Sequence, residues 1–231
     1  PLEIGDACRA VLREFAPLPL ESVALQEALG RVAAEDIRSP LALPPWDNAS
    51  MDGYAVRAAD VRGASAASPR TLTVVETVAA GAATERTVNA GEAIRIMTGG
   101  PVPAGADSVI RVEDSDAGTS QVRIRNDRDC LRNVRPRGED LGKGDVAVSR
   151  GSELCPGHVG VLASIGCARV PVHRRARVAV LASGDELVDV DRFDQVLAGR
   201  GIVTSNSYAL MSAVRAAGAE AVSLGTVPDE P

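Results

Sequence analysis

The segment from Leu43 to Val56, LPPWDNASMDGYAV, constrains this chain more than any other, because its composition suits neither a periodic helix nor a periodic strand. Pro44 and Pro45 favour an extended entry. Polar turn-forming residues follow, and Asp52-Gly53 is a dipeptide typical of tight turns. We therefore predict a rigid corner that presents the Asp52 carboxylate, and we expect the rest of the chain to support this corner or to face it.

Composition argues against several classes of function. Hydrophobic residues make up 45% of the 231 residues but aromatic residues only 2%, so the cores must be built from aliphatic side chains and alanine. Few aromatic residues and a formal net charge of −6 argue against nucleic-acid binding by base stacking or phosphate contacts. The sequence contains no apolar run of about 18 residues, so no membrane span is predicted. Its start, PLEIGDACRA, does not resemble a secretory signal.

The cysteines provide a further constraint. None of the four, Cys8, Cys130, Cys155 and Cys167, belongs to a CxxC pair. We therefore expect four reduced thiols in a cytoplasmic protein rather than a zinc site.

Hydrophobic periodicity predicts a helix first and a β-rich region after it. Residues 3–16 repeat apolar side chains at helical spacing before two prolines. Residues 58–69 are predicted to form a loop. Within 47–135 the period changes to two, and strands are expected at 72–78, 93–97, 108–112 and 122–125. A second helix is predicted over 156–164, with proline in its first turn and Gly166 just past its end.

The last segment predicts a strand, a helix and a second strand. The apolar run Val178–Ala182 is typical of a strand buried on both faces. Ligands of parallel α/β sheets bind at the carboxyl ends of strands, where Asp185-Glu186 and Asp229 lie. Because one strand–helix–strand unit does not make a stable sheet, we expect the sequence to stop inside a domain.

Acidic residues at predicted turns are the best candidates for chemistry: Asp52, Glu139-Asp140, Asp185-Glu186 and Asp229. Clustered carboxylates suggest a hard divalent cation such as Mg²⁺. In addition, Thr98-Gly99-Gly100 predicts a turn whose free backbone N–H groups, with the Thr98 hydroxyl, would hold an anion. For any one of these motifs alone, an ordinary turn is the commoner explanation.

Four motifs occur in order: MDGYAV at 51–56, IMTGGPVPAGAD at 96–107, RPRGED at 135–140 and SGDEL at 183–187. Together they resemble the molybdopterin molybdenumtransferases, the MoeA and gephyrin E-domain family. Two departures are mild: TGG replaces the commoner TGA, and Trp46 stands where Phe is frequent. Ser183 stands where Thr is usual, and the serious departure is that the remainder of the family's third domain and its whole fourth domain are missing from this sequence.

The resemblance implies a multidomain protein of α/β and β structure. A discontinuous N-terminal module would comprise 1–46 and 136–174, and a β-rich module would comprise 47–135. A parallel-sheet, molybdopterin-binding α/β domain would begin at 175 and be incomplete at 231, with the helix over 3–16 a candidate to pack on it. The resemblance also implies a homodimer. Its active site would lie between the β-rich module of one subunit and the α/β domain of the other.

The implied reaction is molybdenum insertion into adenylylated molybdopterin, with molybdate as co-substrate, AMP as a product and Mg²⁺ as the metal. A molybdopterin adenylyltransferase would be the upstream partner. By resemblance, the catalytic residues are Asp52, Thr98, Glu186 and Asp229, of which Glu186 and Asp229 would also bind the metal. The substrate-binding residues would be Gly99, Gly100, Asp140, Ser183, Gly184 and Asp185.

Anionic substrates that approach several carboxylates need compensating positive charge. Two like charges about 4 Å apart repel by about 1 kcal/mol in water and by about 4 kcal/mol at an effective dielectric of 20. Arg135, Arg137 and Lys143 are the local candidates. Two alternative functions stay open: a non-catalytic dimeric scaffold of the gephyrin type, and a stand-alone pterin adenylyltransferase, which would account only for 178–231.

Overall fold

The computed structural model describes residues 3–79 and 81–229. The helices of this part of the chain are α1 Ile4–Arg13, α2 Ala58–Val61, α3 Pro156–Ser164, α4 Phe193–Leu197 and α5 Ser205–Ala216. The strands are β1 Leu20–Ala24, β2 Ile37–Arg38, β3 Asn48–Ala49, β4 Gly53–Val56, β5 Arg70–Thr77, β6 Glu92–Ile96, β7 Ser108–Arg111, β8 Gln121–Ile124, β9 Val134–Arg135, β10 Val146–Val148, β11 Arg169–His173, β12 Arg177–Ser183, β13 Leu187–Val188, β14 Ile202–Val203 and β15 Glu220–Val227.

The chain divides into two compact units. One unit is continuous and comprises Arg38–Ala147, and the other joins the segment through Ile37 to the segment that begins at Val148. The mixed α/β character that the sequence predicts is confirmed. The finer division into three modules stays a prediction. None of the helices in the described residues is both long and apolar enough to span a membrane.

The unit Arg38–Ala147 is built on a five-stranded sheet with the order β7-β4-β6-β5-β8. Only the β5–β6 pair is parallel, and the other three neighbouring pairs run antiparallel. The four strands expected from the period of two are all present, within a few residues of their predicted bounds. The loop predicted over 58–69 begins instead with the short helix α2.

Strand β4 lies inside this sheet and is buried along its whole length. Tyr54 and Val56 pack in one hydrophobic core, whereas Ala55 packs in another. Because successive residues of a strand point to opposite faces, this alternation shows that both faces of β4 are covered. The predicted Asp52-Gly53 tight turn is therefore wrong, since Gly53 is the first residue of a central strand.

Close approach of a neighbouring strand explains why position 53 is glycine. A Cβ atom built on Gly53 would lie 2.0 Å from the carbonyl oxygen of Ile110 on β7. No side chain fits in that space without moving the backbone. The glycine is therefore required by strand packing rather than by turn conformation.

A buried ion pair holds the end of β7. Arg111 donates two hydrogen bonds to Asp129, of 2.8 and 3.0 Å, and the Asp129 side chain is only 3% exposed. Burial alone would raise the pKa of Asp129, but the hydrogen bonds from Arg111 outweigh it, so the pKa lies below its usual value. This charge is therefore compensated inside the unit.

The discontinuous unit contains an antiparallel pair, β1 with β11, and the helix α3, which has the bounds predicted for it. Arg31 lies beside this pair. It is buried, with 8% of its surface exposed. Its guanidinium forms an ion pair with Glu21 and donates to the carbonyl of His173.

The same unit contains the predicted strand–helix–strand segment. Strands β12 and β15 are parallel, with Arg177 opposite Glu220 and Ser183 opposite Val227, and α5 connects them. The prediction that β12 is buried on both faces is wrong, because only Val180 of this strand is buried and Leu181 is 53% exposed. Within the described residues β12 pairs with one strand only, which leaves much of its apolar surface uncovered.

Helix α1 is also uncovered in the described part of the chain. The predicted helix over 3–16 is confirmed over Ile4–Arg13, but none of its residues is buried. Its apolar side chains are highly exposed, with Ile4 at 83% and Leu12 at 69%. Packing of this helix on the α/β domain stays a prediction.

Candidate functional site

Asp52 directly precedes β4, and the backbone on both sides of it is held in place. Its carbonyl accepts a 3.0 Å hydrogen bond from the N–H of Val112, and Gly53 pairs with both Ile96 and Arg111. The side chain is exposed. The result is a carboxylate at the amino end of a rigid central strand.

Thr98 lies just beyond β6, the neighbour of β4, and it binds this carboxylate directly. Oδ1 of Asp52 accepts one hydrogen bond from the Thr98 backbone N–H and one from the Thr98 hydroxyl, each 2.7 Å long. These bonds, the backbone bond first, lower the pKa of Asp52, and the nearby charge of Arg95 acts in the same direction. Asp52 is therefore ionised at neutral pH, and its Oδ2 accepts no hydrogen bond from the described residues.

The sequence predicts free backbone N–H groups in the turn Thr98-Gly99-Gly100, and this prediction is wrong. Besides the Thr98 bond to Asp52, the N–H of Gly99 donates to the carbonyl of Ala49, and that of Gly100 to the carbonyl of Met97. The anion held at this turn is Asp52 itself. The glycines shape the loop, since Gly99 has a φ of +80° and a Cβ on Gly100 would lie 2.9 Å from Ile96 Cγ1.

The RPRGED motif is attached to the same region of this unit. Strand β9 pairs Arg135 with Asn48, and the carboxylate of Asp47 accepts a 2.7 Å hydrogen bond from the Arg137 N–H. In addition, the N–H of Asp140 donates to the carbonyl of Leu43. The segment that begins at Leu43 is thus held in place by the RPRGED motif, which is distant in sequence.

The Asp140 carboxylate is paired with an arginine. Nη2 of Arg135 donates to both of its carboxylate oxygens, at 2.8 and 2.9 Å, and Nε of Arg135 donates to Glu139. These two acids raise the pKa of Arg135, and the hydrogen bond to Glu139 is the largest single cause. Arg135 is therefore already paired, and Arg137 and Lys143 are left as the exposed candidates to meet an anionic substrate.

The SGDEL motif lies in the other unit, at the carboxyl end of β12. The hydroxyl of Ser183 donates to Asp229, which follows β15, and the N–H of Gly184 donates to the carbonyl of Val227 at 3.2 Å. These bonds join the ends of the two parallel strands. Asp185 and Glu186 are exposed, and their carboxylates have no hydrogen-bond partner among the described residues.

Gly184 has little room for a side chain. A Cβ atom there would lie 2.9 Å from Leu187 Cγ and 3.0 Å from the Glu186 carboxylate. The glycine therefore lets the chain fold back at the end of β12, with the Glu186 side chain close to the backbone.

A cavity of about 330 Å³ adjoins Ser183. It is also lined by the first residues of α5, Ser205, Asn206 and Ser207. The amino end of a helix offers unpaired N–H groups and a favourable dipole for anions. The Ser205-Asn206 pair is not among the site residues predicted from the sequence. Its position after a short strand in an α/β segment is the signal that could have added it to the site.

The carboxylates fit only one kind of magnesium site. No group of three or more His, Cys, Asp or Glu side chains in residues 3–79 and 81–229 is arranged to hold a metal ion. Mg²⁺ commonly takes one or two carboxylates and completes its shell with water and substrate phosphates. Glu186 and Asp229 therefore have the donor chemistry for a cation that arrives with a diphosphate, but not for a cage made of protein alone.

The family described as the MoeA N-terminal region, domains I and II, matches residues 2–166. A curated relative, molybdopterin molybdenumtransferase 2 of Mycobacterium tuberculosis, is 40% identical over 99% of this chain and 53% of its own length. The molybdopterin molybdenumtransferase of Bacillus subtilis is 35% identical over 100% of this chain and 54% of its own. The chain thus spans about half the length of these relatives.

A solved structure is similar as well. The crystal structure of the molybdopterin biosynthesis moeA protein from Pyrococcus horikoshii matches with a TM-score of 0.90 and 34% identity. The match covers 98% of this chain and 60% of that one. The fold described above is therefore shared with this solved structure.

Proposed function

We propose, from the premise that this chain belongs to the MoeA family, that the full-length protein is a molybdopterin molybdenumtransferase of molybdenum cofactor biosynthesis. The observation that carries the proposal is the ionised, exposed carboxylate of Asp52, which Thr98 holds in one orientation. A fixed charge with one free oxygen is suited to orienting a water molecule or a substrate hydroxyl. The transferase names of the curated relatives support the same activity.

The proposed reaction takes adenylylated molybdopterin and molybdate. Water attacks the phosphoanhydride, one bridging P–O bond breaks, and AMP and the molybdopterin phosphate separate. The two dithiolene S–H groups then displace one oxygen of molybdate, so that two Mo–S bonds form and that oxygen leaves as water with the two thiol protons. A molybdopterin adenylyltransferase would supply the adenylylated substrate.

The low pKa of Asp52 determines which part of this chemistry it can do. An efficient general base has a pKa near the working pH, and Asp52 lies far below it. We therefore assign Asp52 to orienting the attacking water through Oδ2, rather than to removing its proton. Thr98 would position Asp52, and Gly99 and Gly100 would shape the loop that brings Thr98 to it.

The α/β segment would bind the anionic parts of the substrate. Ser205 and Asn206, at the start of α5, would contact a phosphate together with Ser183 and Gly184. Glu186 and Asp229 would hold Mg²⁺, which when bound neutralises phosphate charge, with Asp185 beside them. Asp140, already paired with Arg135, would border the β-rich side of the site.

We further propose that the protein is a cytoplasmic homodimer. The site would combine Asp52 of one subunit with Glu186 and Asp229 of the other. The four free cysteines support a reducing compartment.

The proposal is tested with purified full-length protein, adenylylated molybdopterin and molybdate. AMP release that depends on molybdate is the expected result. Absence of AMP release from folded, dimeric protein would overturn the proposal and favour a scaffold.

The composite site has its own test. Full-length Asp52→Asn and Glu186→Gln variants are each expected to be inactive. When they are mixed and allowed to exchange subunits, about a quarter of the sites regain both residues in a two-fold dimer. If the mixture recovers no activity although heterodimers form, the two residues act within one subunit.

A further inference from the structure

A second cavity lies in the discontinuous unit, away from every residue assigned above. Its volume is about 590 Å³, which falls within the range of small-molecule sites. We call it the basic cavity, because three arginines line it, Arg31, Arg174 and Arg175, against one carboxylate, Glu153. A neighbouring cavity of about 430 Å³ shares His173 and Arg174 with it and adds Arg150.

The backbone of this region is well anchored. The N–H of His173 donates to Val32 and that of Arg174 to Pro19, each at 2.9 Å, while the His173 ring is 2.6 Å from the carbonyl of Leu18. Arg31 is buried and held by Glu21 and by the His173 carbonyl. The wall of the basic cavity is therefore formed before any ligand arrives.

The other guanidinium groups are uncommitted. Within residues 3–79 and 81–229, the side chains of Arg150, Arg174 and Arg175 make no hydrogen bond or ion pair. The linings of the two cavities thus contain four arginines, counting Arg31, and one carboxylate, Glu153. Glu21 pairs with Arg31 but lines neither cavity. This excess of positive charge stands out in a chain whose formal net charge is −6.

Part of the lining of the basic cavity forms a wall of small, uncharged residues. It includes Gly30 and the end of α5, Ala216 to Ala219. Cβ atoms built on Gly30 or Gly218 would meet nothing within 4 Å, so the space in front of them is open. A ligand could therefore lie against this wall while its charged end meets the arginines.

We propose that the basic cavity binds a small molecule that carries phosphate. Guanidinium groups match the geometry of phosphate oxygens and bind them through paired hydrogen bonds. Arg174 and Arg175 make the direct contacts, Arg150 adds attraction from the adjoining cavity, and Glu153 limits the affinity. This site is separate from the proposed active site and takes its ligand whether or not the protein transfers molybdenum.

Calorimetric titration of the full-length protein with inorganic pyrophosphate, without molybdopterin or molybdate, tests the proposal. The double variant Arg174→Ser/Arg175→Ser should weaken binding by about tenfold or more, because it removes two charged hydrogen-bond donors. Glu153→Gln should strengthen binding, since it removes the only unpaired carboxylate of the cavity. Arg123→Ser/Arg125→Ser, which removes the same charge from exposed positions in β8 and just after it, should have no effect.

Three outcomes would overturn the proposal: no saturable binding to the wild type, equal binding by the two double variants, or pyrophosphate density only outside the cavity in soaked crystals. Titrations with phosphate and AMP identify which kind of phosphate is preferred. If the first double variant does not fold, Arg150→Ser is the substitute, with weaker binding as the supporting result and unchanged binding as the opposing one.

Discussion

Asp52 and Thr98 form a closed pair, in which one carboxylate oxygen accepts both the backbone N–H and the hydroxyl of a residue 46 positions away. Each hydrogen bond is 2.7 Å long. The pair joins two of the four motifs, because β4 and β6 are neighbours in the sheet. The threonine is therefore occupied with orienting the aspartate and is not a free donor for substrate.

Thr98→Val should raise the pKa of Asp52 without returning it to the ordinary value. The substitution removes the hydroxyl bond but leaves the backbone bond, which is the larger cause of the low pKa. Carboxyl ¹³C shifts of Asp52 followed through a pH titration measure this. Thr98→Ser keeps the hydroxyl and should titrate like the wild type, and an unchanged pKa in Thr98→Val would contradict the assigned bond.

The hydrogen bonds between Asp52 and Thr98 should stabilise the folded protein at neutral pH and lose this effect in acid. The folded-state pKa of Asp52 lies below the unfolded value of about 3.9, so the stabilisation is complete above that value. It is lost as the pH falls through the folded-state pKa. In urea unfolding, the difference between wild type and Thr98→Val should therefore shrink in acid. A difference that grows as the pH falls would have the wrong sign.

Asp52→Asn should abolish molybdate-dependent AMP release while fold and dimer are kept. Asparagine cannot hold the negative charge that orients the attacking water. Asp116→Asn is a matched control, because Asp116 is also exposed, also has a lowered pKa and also accepts backbone hydrogen bonds, from Arg123 and Gly118. The control should retain turnover, and equal losses in both variants would indicate a general structural effect.

Gly53→Ala should destabilise the unit Arg38–Ala147 strongly. Its Cβ would lie 2.0 Å from the Ile110 carbonyl oxygen, so β4 and β7 must move apart. Overpacking of this kind costs about 1–3 kcal/mol or more. Gly160→Ala in α3 adds the same methyl group in open space and should be neutral or stabilising. Thermal unfolding of the two variants gives the comparison.

Asp129→Asn should cost about 1.5–3 kcal/mol, because it removes the buried charge that accepts two hydrogen bonds from the partly exposed Arg111. Since the pKa of Asp129 is lowered, the loss should be largest at neutral pH and fall as acid protonates the wild-type carboxyl. Arg86→Ala removes an exposed pair with Glu76 and should cost less than about 1 kcal/mol. Urea unfolding at several pH values separates these outcomes.

Local sequence patterns were sufficient to predict many helices and strands of the fold. Proline in the first turn and Gly166 past the end predicted α3 with its observed bounds, and the period of two predicted the strands that became β5 to β8. These signals are local, since they depend on backbone preference and on which face of an element is apolar. The parallel pairing of β12 with β15 followed from the helix between them.

Contacts between distant segments could not be predicted in this way. The Asp52-Gly53 dipeptide suggested a turn, because nothing near it in sequence reveals that Ile110 passes 2.0 Å from a Cβ at Gly53. Likewise, the glycines after Thr98 suggested free N–H groups, whereas the folded chain supplies each with an acceptor. Arg31 is buried, and its partners Glu21 and His173 belong to β1 and β11, which are far apart in sequence.

The sequence by itself determined the family motifs, the helices and strands with a clear period, and the acidic residues available for chemistry. Only the tertiary structure decided which of those acids are already paired: Asp52 with Thr98, Asp140 with Arg135, and Asp229 with Ser183. The physical reason is that a hydrogen bond depends on a separation of about 3 Å in space. Sequence spacing does not encode that separation until the strands have taken their places in the sheets.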